Sequence, residues 1–192
     1  MKKIKIILAS SNKGKVLEFS KALKDLKISF TLFDVEVEET GDTFQKNAYL
    51  KAMSVHKLFP NDYVLADDSG LTIPSLPDVL GVHSKRFKEE LSYFEKHKII
   101  NEMLENKDRN AYFTTVLCLI TPQNEVKYFK GVAKGYIIEP IYANGFGYDP
   151  IFFSNEAQKA FSSLSLKEKN KYSHRGKAIQ KLYNYLLEFQ NA

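Results

Sequence analysis

An α/β fold built on a mixed β-sheet is the class this sequence predicts, and three observations carry it. Strand-like and helix-like segments alternate from the N-terminus onward. Two long apolar stretches, 111–120 and 125–138, are joined by Thr121-Pro122-Gln123-Asn124, a hairpin-like connection that makes them antiparallel. At 192 residues and 44% hydrophobic content, the chain suits one domain, with room for two lobes.

Residues 2–9 are rich in Ile and read as a first strand. Ser10-Ser11-Asn12 supplies a capping cluster, and Val16, Phe19, Leu23 and Leu26 recur at helical spacing over 13–26. A second strand is expected over 28–37, running into Asp34-Val35-Glu36-Val37-Glu38, where period-two alternation puts three acids on one face. Asp42-Thr43-Phe44-Gln45 reads as a helix start, and Phe44, Ala48, Ala52, Val55 and Phe59 continue an apolar stripe to Pro60. Tyr63 to Ala66 is a short strand, Asp67-Asp68-Ser69-Gly70 an acidic turn, and Leu71 to Ile73 a resumption of extended chain. Residues 88–105 read as a helix, Gly145 to Pro150 as a loop entering a last strand at 151–153, and 175–190 as the terminal helix. No internal repeat is present.

Several classes are excluded or disfavoured. Lys5 interrupts the apolar N-terminus, leaving too short a run for a signal peptide, and Val116 to Ile120 is far too short to span a bilayer. No membrane association is therefore expected. Cys118 is the only cysteine, so no intramolecular disulfide can form, and a reducing, cytoplasmic compartment fits. Of the net charge of +5, an excess sits in 154–192, where seven Lys/Arg face three Glu. That suits either a polyanionic partner or a solvated basic helix surface.

Chemistry concentrates in five segments. Ser10-Ser11-Asn12-Lys13-Gly14-Lys15 lies between a strand and a helix N-terminus, where unpaired N–H groups, the helix dipole and two lysines favour an anion. It lacks the glycine spacing of a Walker A loop, and taken alone an ordinary capped helix with surface lysines is the commoner explanation. The acids of Glu36-Val37-Glu38-Glu39 and Asp67-Asp68 are hard oxygen donors of the kind Mg²⁺ takes, or else exposed acidic turns. Asn47 and Lys51 are four residues apart on one helix face, so both could point at a phosphate, though surface positions also explain them. Gly145-Phe146-Gly147-Tyr148-Asp149-Pro150 pairs two permissive glycines with flat aromatic faces for stacking a base, and Asp149 could accept from a ring N–H. The alternative is a tight turn with core aromatics. Ser173-His174-Arg175-Gly176-Lys177 opens the last helix with donors that favour a purine bearing oxygen at C6 over the amino group of adenine. His56, His83 and His97 lack metal-ligand spacing and read as surface or packing residues.

Taken together, SNKGK, EETGDTFQKNAYLKA, ADDSGL, GFGYDPIFF and SHRGKA resemble, in order and over nearly the whole chain, the inosine triphosphate pyrophosphatase family, the XTP/dITP diphosphatases. The resemblance implies an elongated mixed sheet flanked by helices, two lobes with a central cleft, a homodimer, and Mg²⁺-dependent hydrolysis of ITP, dITP and XTP to the monophosphate and pyrophosphate. By it, Ser10 to Lys15 bind the triphosphate, Lys51 positions or neutralises it, Glu38 and Asp68 hold Mg²⁺, and Asp68 also serves as base toward water. Ser69 touches the substrate, while Phe146, Gly147, Tyr148, Asp149, Lys169, His174 and Arg175 bind the nucleotide, chiefly its base. Attack at the α-phosphorus likewise comes from the resemblance alone. Two departures from the family pattern stand out: Ser10-Ser11-Asn12 replaces Thr-Gly-Asn, and His83-Ser84-Lys85-Arg86 replaces Tyr-Ser-Ala-Arg, which leaves the role of Arg86 open.

Two rivals remain. A Maf-type pyrophosphatase acting on pyrimidine or modified nucleotides shares the architecture, but GFGYD and SHRG argue against it. A non-catalytic nucleotide or nucleic-acid binder would gain nothing from carboxylates in its groove, so no nucleic-acid partner is expected.

Overall fold

The computed structural model describes residues 3–191, apart from the side chains of residues 13, 14 and 191. In chain order the elements are β1 (Ile4–Ala9), α1 (Lys13–Ala22), β2 (Ile28–Phe33), α2 (Phe44–His56), β3 (Tyr63–Thr72), α3 (Tyr93–Met103), β4 (Asn110–Ile120), β5 (Val126–Ile137), β6 (Phe152–Ser154), β7 (Lys159–Ala160), α4 (Leu166–Tyr172) and α5 (His174–Asn191). The strands form one sheet in the order β2-β1-β3-β4-β5-β6-β7. Strand β1 is parallel to both neighbours, with Ile4 opposite Ile28 and Leu8 opposite Leu65, whereas β5, β6 and β7 run antiparallel, with Gly135 opposite Ser154. The expected mixed α/β sheet is therefore present.

The chain divides into two compact units. The first comprises Met1–Asp68, Thr115–Lys130 and Ala178–Ala192. Its strands bury both faces, and successive residues belong to different cores. Ile6, Leu8, Leu65, Leu117 and Leu119 pack with Phe19 of α1, with Leu23 just after it, and with Leu182 and Leu186 of α5. Ile7, Ala9, Val64, Ala66, Val116, Cys118 and Ile120 pack instead with Ala48, Ala52 and Val55 of α2. Two-sided burial explains the unbroken apolar runs of these strands. Burial also pushes the Cys118 thiol up to about 12, which leaves it protonated and inert at neutral pH.

The second unit comprises Ser69–Thr114 and Gly131–Lys177. Its core joins Leu71 of β3, Ile73 just after it, Ile100 of α3, Phe113 of β4, Phe152 of β6 and Phe161. The Phe113 ring meets Phe152 edge-on at 4.8 Å and stacks on Phe161 at 5.7 Å. Such aromatic pairs add about 1 kcal/mol each beyond the area they bury.

Several expectations about elements are corrected. The second strand ends at Phe33 rather than residue 37, because β1, its ladder partner, ends at Ala9 opposite Phe33. The alternation that suggested a longer strand survives as exposure, with Asp34, Glu36 and Glu38 exposed between half-buried valines. Residues 67–70 are no turn, since β3 runs through them continuously. The first helix stops at Ala22. Helix α3 begins five residues later than expected, at Tyr93, capped by Ser92, whose hydroxyl accepts from Glu95 N while the Glu95 carboxylate accepts from Ser92 N. The same box, Ser165 with Glu168, starts α4, a helix of seven residues that the apolar pattern did not reveal.

Candidate active site

In the first unit, backbone geometry draws two segments toward the Asp67-Asp68 pair. Leaving β1, the chain passes Ser10, whose hydroxyl accepts from Asn12 N at 3.1 Å, and enters α1. Ser11 and Asn12 are exposed there, and Ser11 is not among the described residues with positive φ, so serine fits where the resembled family has glycine. The side chain of Lys13 and the surroundings of Gly14 lie outside the described residues. Lys15, on the first turn of α1, reaches Asp67 Oδ1 with its Nζ at 2.6 Å.

The second segment is the turn before α2. Thr43 caps that helix by accepting from Lys46 N, and the buried Asn47 accepts from Gly41 N at 2.8 Å. An added Cβ at Gly41 would sit 2.4 Å from that Asn47 oxygen, so glycine is what lets the turn lie against the helix. One helical turn beyond Asn47, Lys51 Nζ stands 3.0 Å from Glu39 Oε1 and 3.7 Å from Asp68 Oδ1. Burial works against the Lys51 ammonium, but the carboxylates of Asp67, Asp68 and Glu39 outweigh it and raise its pKa above the ordinary value. Lysines thus face both β3 carboxylates, which resolves the cost of two adjacent buried acids.

Among the acids expected to hold a metal, Asp68 is in this cluster, while Glu38 is exposed and its neighbour Glu39 makes the contact with Lys51. Glu39 and Asp67 belong to the two acidic segments singled out from the sequence, but the family resemblance picks out Glu38 and Asp68 alone. Alternation groups Asp34, Glu36 and Glu38 on one face, but the chain leaves its ladder at Phe33, so alternation does not decide which of Glu38 and Glu39 turns inward.

Among the described residues, no group of three or more His, Cys, Asp or Glu side chains gathers closely enough to hold a metal ion by itself. Glu39, Asp67 and Asp68 nevertheless supply hard oxygen donors beside two lysines. That donor set suits Mg²⁺, which takes one or two carboxylates and completes its octahedron with substrate phosphate and water.

The second unit assembles the aromatic loop. Gly145 (φ +95°) and Gly147 (φ +61°) adopt the left-handed region, and a Cβ at Gly145 would lie 2.6 Å from Asp149 Oδ2. That oxygen closes the loop by accepting from Phe146 N at 3.0 Å and from Lys169 Nζ at 2.5 Å. Lys169 also lies over the Phe146 ring, 4.9 Å from its centroid. Phe146 is 72% exposed and offers its flat face, whereas the Tyr148 ring is buried in the core and its hydroxyl donates to Ser84 O at 2.8 Å. Of the two aromatics, Phe146 is the available stacking surface and Tyr148 the anchor.

Ser173 accepts from Gly176 N at 3.0 Å and so starts α5, with His174 and Arg175 as its first residues. The His174 ring stacks on Phe113 at 4.6 Å with planes 10° apart, which fixes the direction of its edge nitrogens. Gly176 is required by close approach, since a Cβ there would meet Asn170 O at 1.9 Å. Ser69 follows Asp68 directly in β3 and is half-buried. Arg86 is exposed and pairs with His83 at 3.0 Å. His56 and His97 are both buried packing residues, and His83 is exposed.

Comparison with known proteins shows what the whole chain is similar to. The sequence pattern of the Ham1 family matches residues 6–185. A protein named dITP/XTP pyrophosphatase from Staphylococcus aureus (strain MRSA252) is 39% identical over 192 residues, covering 97% of this chain and 98% of its own length. One of the same name from Bacillus licheniformis is 40% identical over 190 residues, covering 92% of this chain and 95% of its own. The solved structure of a HAM1 protein from Coxiella burnetii superposes with a TM-score of 0.88 at 38% identity, covering 96% of this chain and 99% of that one.

Proposed function

This chain belongs to the Ham1 family, and from that premise we propose that it hydrolyses deaminated purine nucleoside triphosphates, ITP, dITP and XTP, to the monophosphate and pyrophosphate. The observation that carries the reading is the cluster of Lys15, Lys51, Glu39, Asp67 and Asp68. A binder of polyanions has no use for three carboxylates, whereas phosphoryl transfer uses cations for charge and a carboxylate for water. Full-length similarity to proteins named dITP/XTP pyrophosphatase supports the substrate class.

In this account Ser10 to Lys15 bind the triphosphate through backbone N–H groups and the Lys13 and Lys15 ammonium groups. Lys51, kept protonated by its acidic neighbours, offsets charge that builds on the phosphoryl oxygens. Asp68 accepts a proton from the attacking water as the new O–P bond forms at the α-phosphorus. The α–β bridging bond breaks, and pyrophosphate leaves. Asp68 with the Glu38–Glu39 pair would hold Mg²⁺, which would supply charge neutralisation and orientation of the phosphates. Ser69 touches the substrate beside Asp68.

The base is assigned to Phe146, Gly147, Tyr148, Asp149 and Lys169 together with His174 and Arg175. Phe146 provides the stacking face, and donors from His174 and Arg175 meet the C6 oxygen of hypoxanthine or xanthine and oppose the amino group of adenine. The same logic does not reject GTP. The chain acts as a homodimer in the cytoplasm, where removing such nucleotides keeps them out of nucleic acid; among the described residues no helix is long and apolar enough to cross a membrane.

Hydrolysis of ITP in heavy-oxygen water tests the reaction type. Attack at the α-phosphorus places the label in IMP and leaves pyrophosphate unlabelled. Label in pyrophosphate or in released orthophosphate contradicts the proposal.

A further inference from the structure

His97 occupies a position that the reaction scheme above does not use. It lies on α3, is 1% exposed, and contacts the aromatic loop at Gly147 and the chain just before it at Tyr142. Its Nε2 is 2.8 Å from Gly147 O, and its Nδ1 is 3.1 Å from the Tyr142 hydroxyl. A carbonyl oxygen only accepts, so Nε2 carries the proton; Nδ1 of the neutral ring then accepts from Tyr142. Burial lowers the His97 pKa, partly opposed by the Gly147 hydrogen bond, so the ring is neutral near pH 7. Stacking completes the seat, with the Tyr142 ring 5.8 Å from His97 and 29° from parallel. The loop is thereby held from α3 at Gly147, where the backbone has a positive φ.

We propose that His97 is a positioning residue for base recognition: its Nε2–H fixes the Gly147 carbonyl, and Tyr142 fixes the tautomer that makes this possible. The inference rests on the reading that the Gly145–Asp149 loop binds the base. Neither residue touches the phosphates in this account, so the effect of removing the tether falls on the base alone.

The test compares His97→Leu, His97→Gln, Tyr142→Phe and Phe146→Ala for ITP turnover and for inhibition by inorganic tripolyphosphate, which carries no base. Stranding the Gly147 carbonyl in His97→Leu raises KM for ITP about tenfold. Its kcat stays within about threefold, and tripolyphosphate inhibition is unchanged. His97→Gln, whose amide N–H can still donate, recovers most of the loss. Tyr142 is 56% exposed, so Tyr142→Phe folds even if His97→Leu does not, and it raises KM about threefold. Unchanged KM in His97→Leu or, failing its folding, in Tyr142→Phe overturns the inference, provided Phe146→Ala does raise KM. An equal loss of tripolyphosphate inhibition also overturns it, by showing general damage. If Phe146→Ala itself leaves KM unchanged, the base-binding role of the loop is what fails.

Discussion

Lys15 on the first turn of α1 and Asp67 in the middle of β3 form an ion pair 2.6 Å long, with the carboxylate side chain only 3% exposed. The pair ties the segment after β1 to the strand that carries Asp68. Breaking a buried pair leaves one charge without its counter-ion, which costs more than the intact pair contributes. Lys15→Met is therefore expected to lower stability by about 2 kcal/mol in urea unfolding, given the other cation near Asp67. Lys15→Met with Asp67→Asn should recover part of that loss, and an additive double variant would refute the coupling.

The raised pKa of Lys51 has a signed consequence for pH. A group whose folded pKa lies above its unfolded value stabilises fully below the unfolded pKa, here ordinarily 10.5, and loses that contribution as pH rises through the folded pKa. The stability difference between the native chain and Lys51→Met should thus be constant from pH 7 to about pH 10 and shrink only above it. Convergence already near about pH 9 would show that the three carboxylates do not outweigh burial.

Glu39 and Glu38 offer a direct comparison of neighbours. Glu39 stands 3.0 Å from Lys51, while Glu38 is exposed. Glu39→Gln is expected to lower kcat/KM for ITP at least about tenfold more than Glu38→Gln, and to raise the Mg²⁺ concentration needed for half-activity. Equal losses would mean that Glu38 turns inward when substrate and metal are present.

How much of this was legible follows from which signals are local. Strands buried on both faces announce themselves as apolar runs, so β1, β4 and the first half of β3 were readable, and so was the capped α2. Asp67 and Asp68 looked like a turn because adjacent acids are costly inside a strand; their counter-charges come from Lys15 and Lys51, 52 residues and 17 to 16 residues away in sequence, and no local pattern reveals such partners. The Glu39 contact depends on Asn47 holding Gly41, again a tertiary relation. Helix α4 and the start of α3 were recoverable, because Ser165 with Glu168 and Ser92 with Glu95 carry the capping spacing. Tyr148 and Phe146 are adjacent but one in sequence, and only packing shows that one is anchor and the other is surface.

The most direct measurement of the central claim is pyrophosphate release from ITP, XTP, GTP, ATP, dTTP and UTP, with and without Mg²⁺, for the native chain and for Asp68→Asn. The account predicts Mg²⁺-dependent turnover that favours ITP and XTP over ATP and the pyrimidine nucleotides, and a loss of about a hundredfold or more in kcat for Asp68→Asn. Turnover of dTTP or UTP alone, or native activity retained in Asp68→Asn, would contradict it.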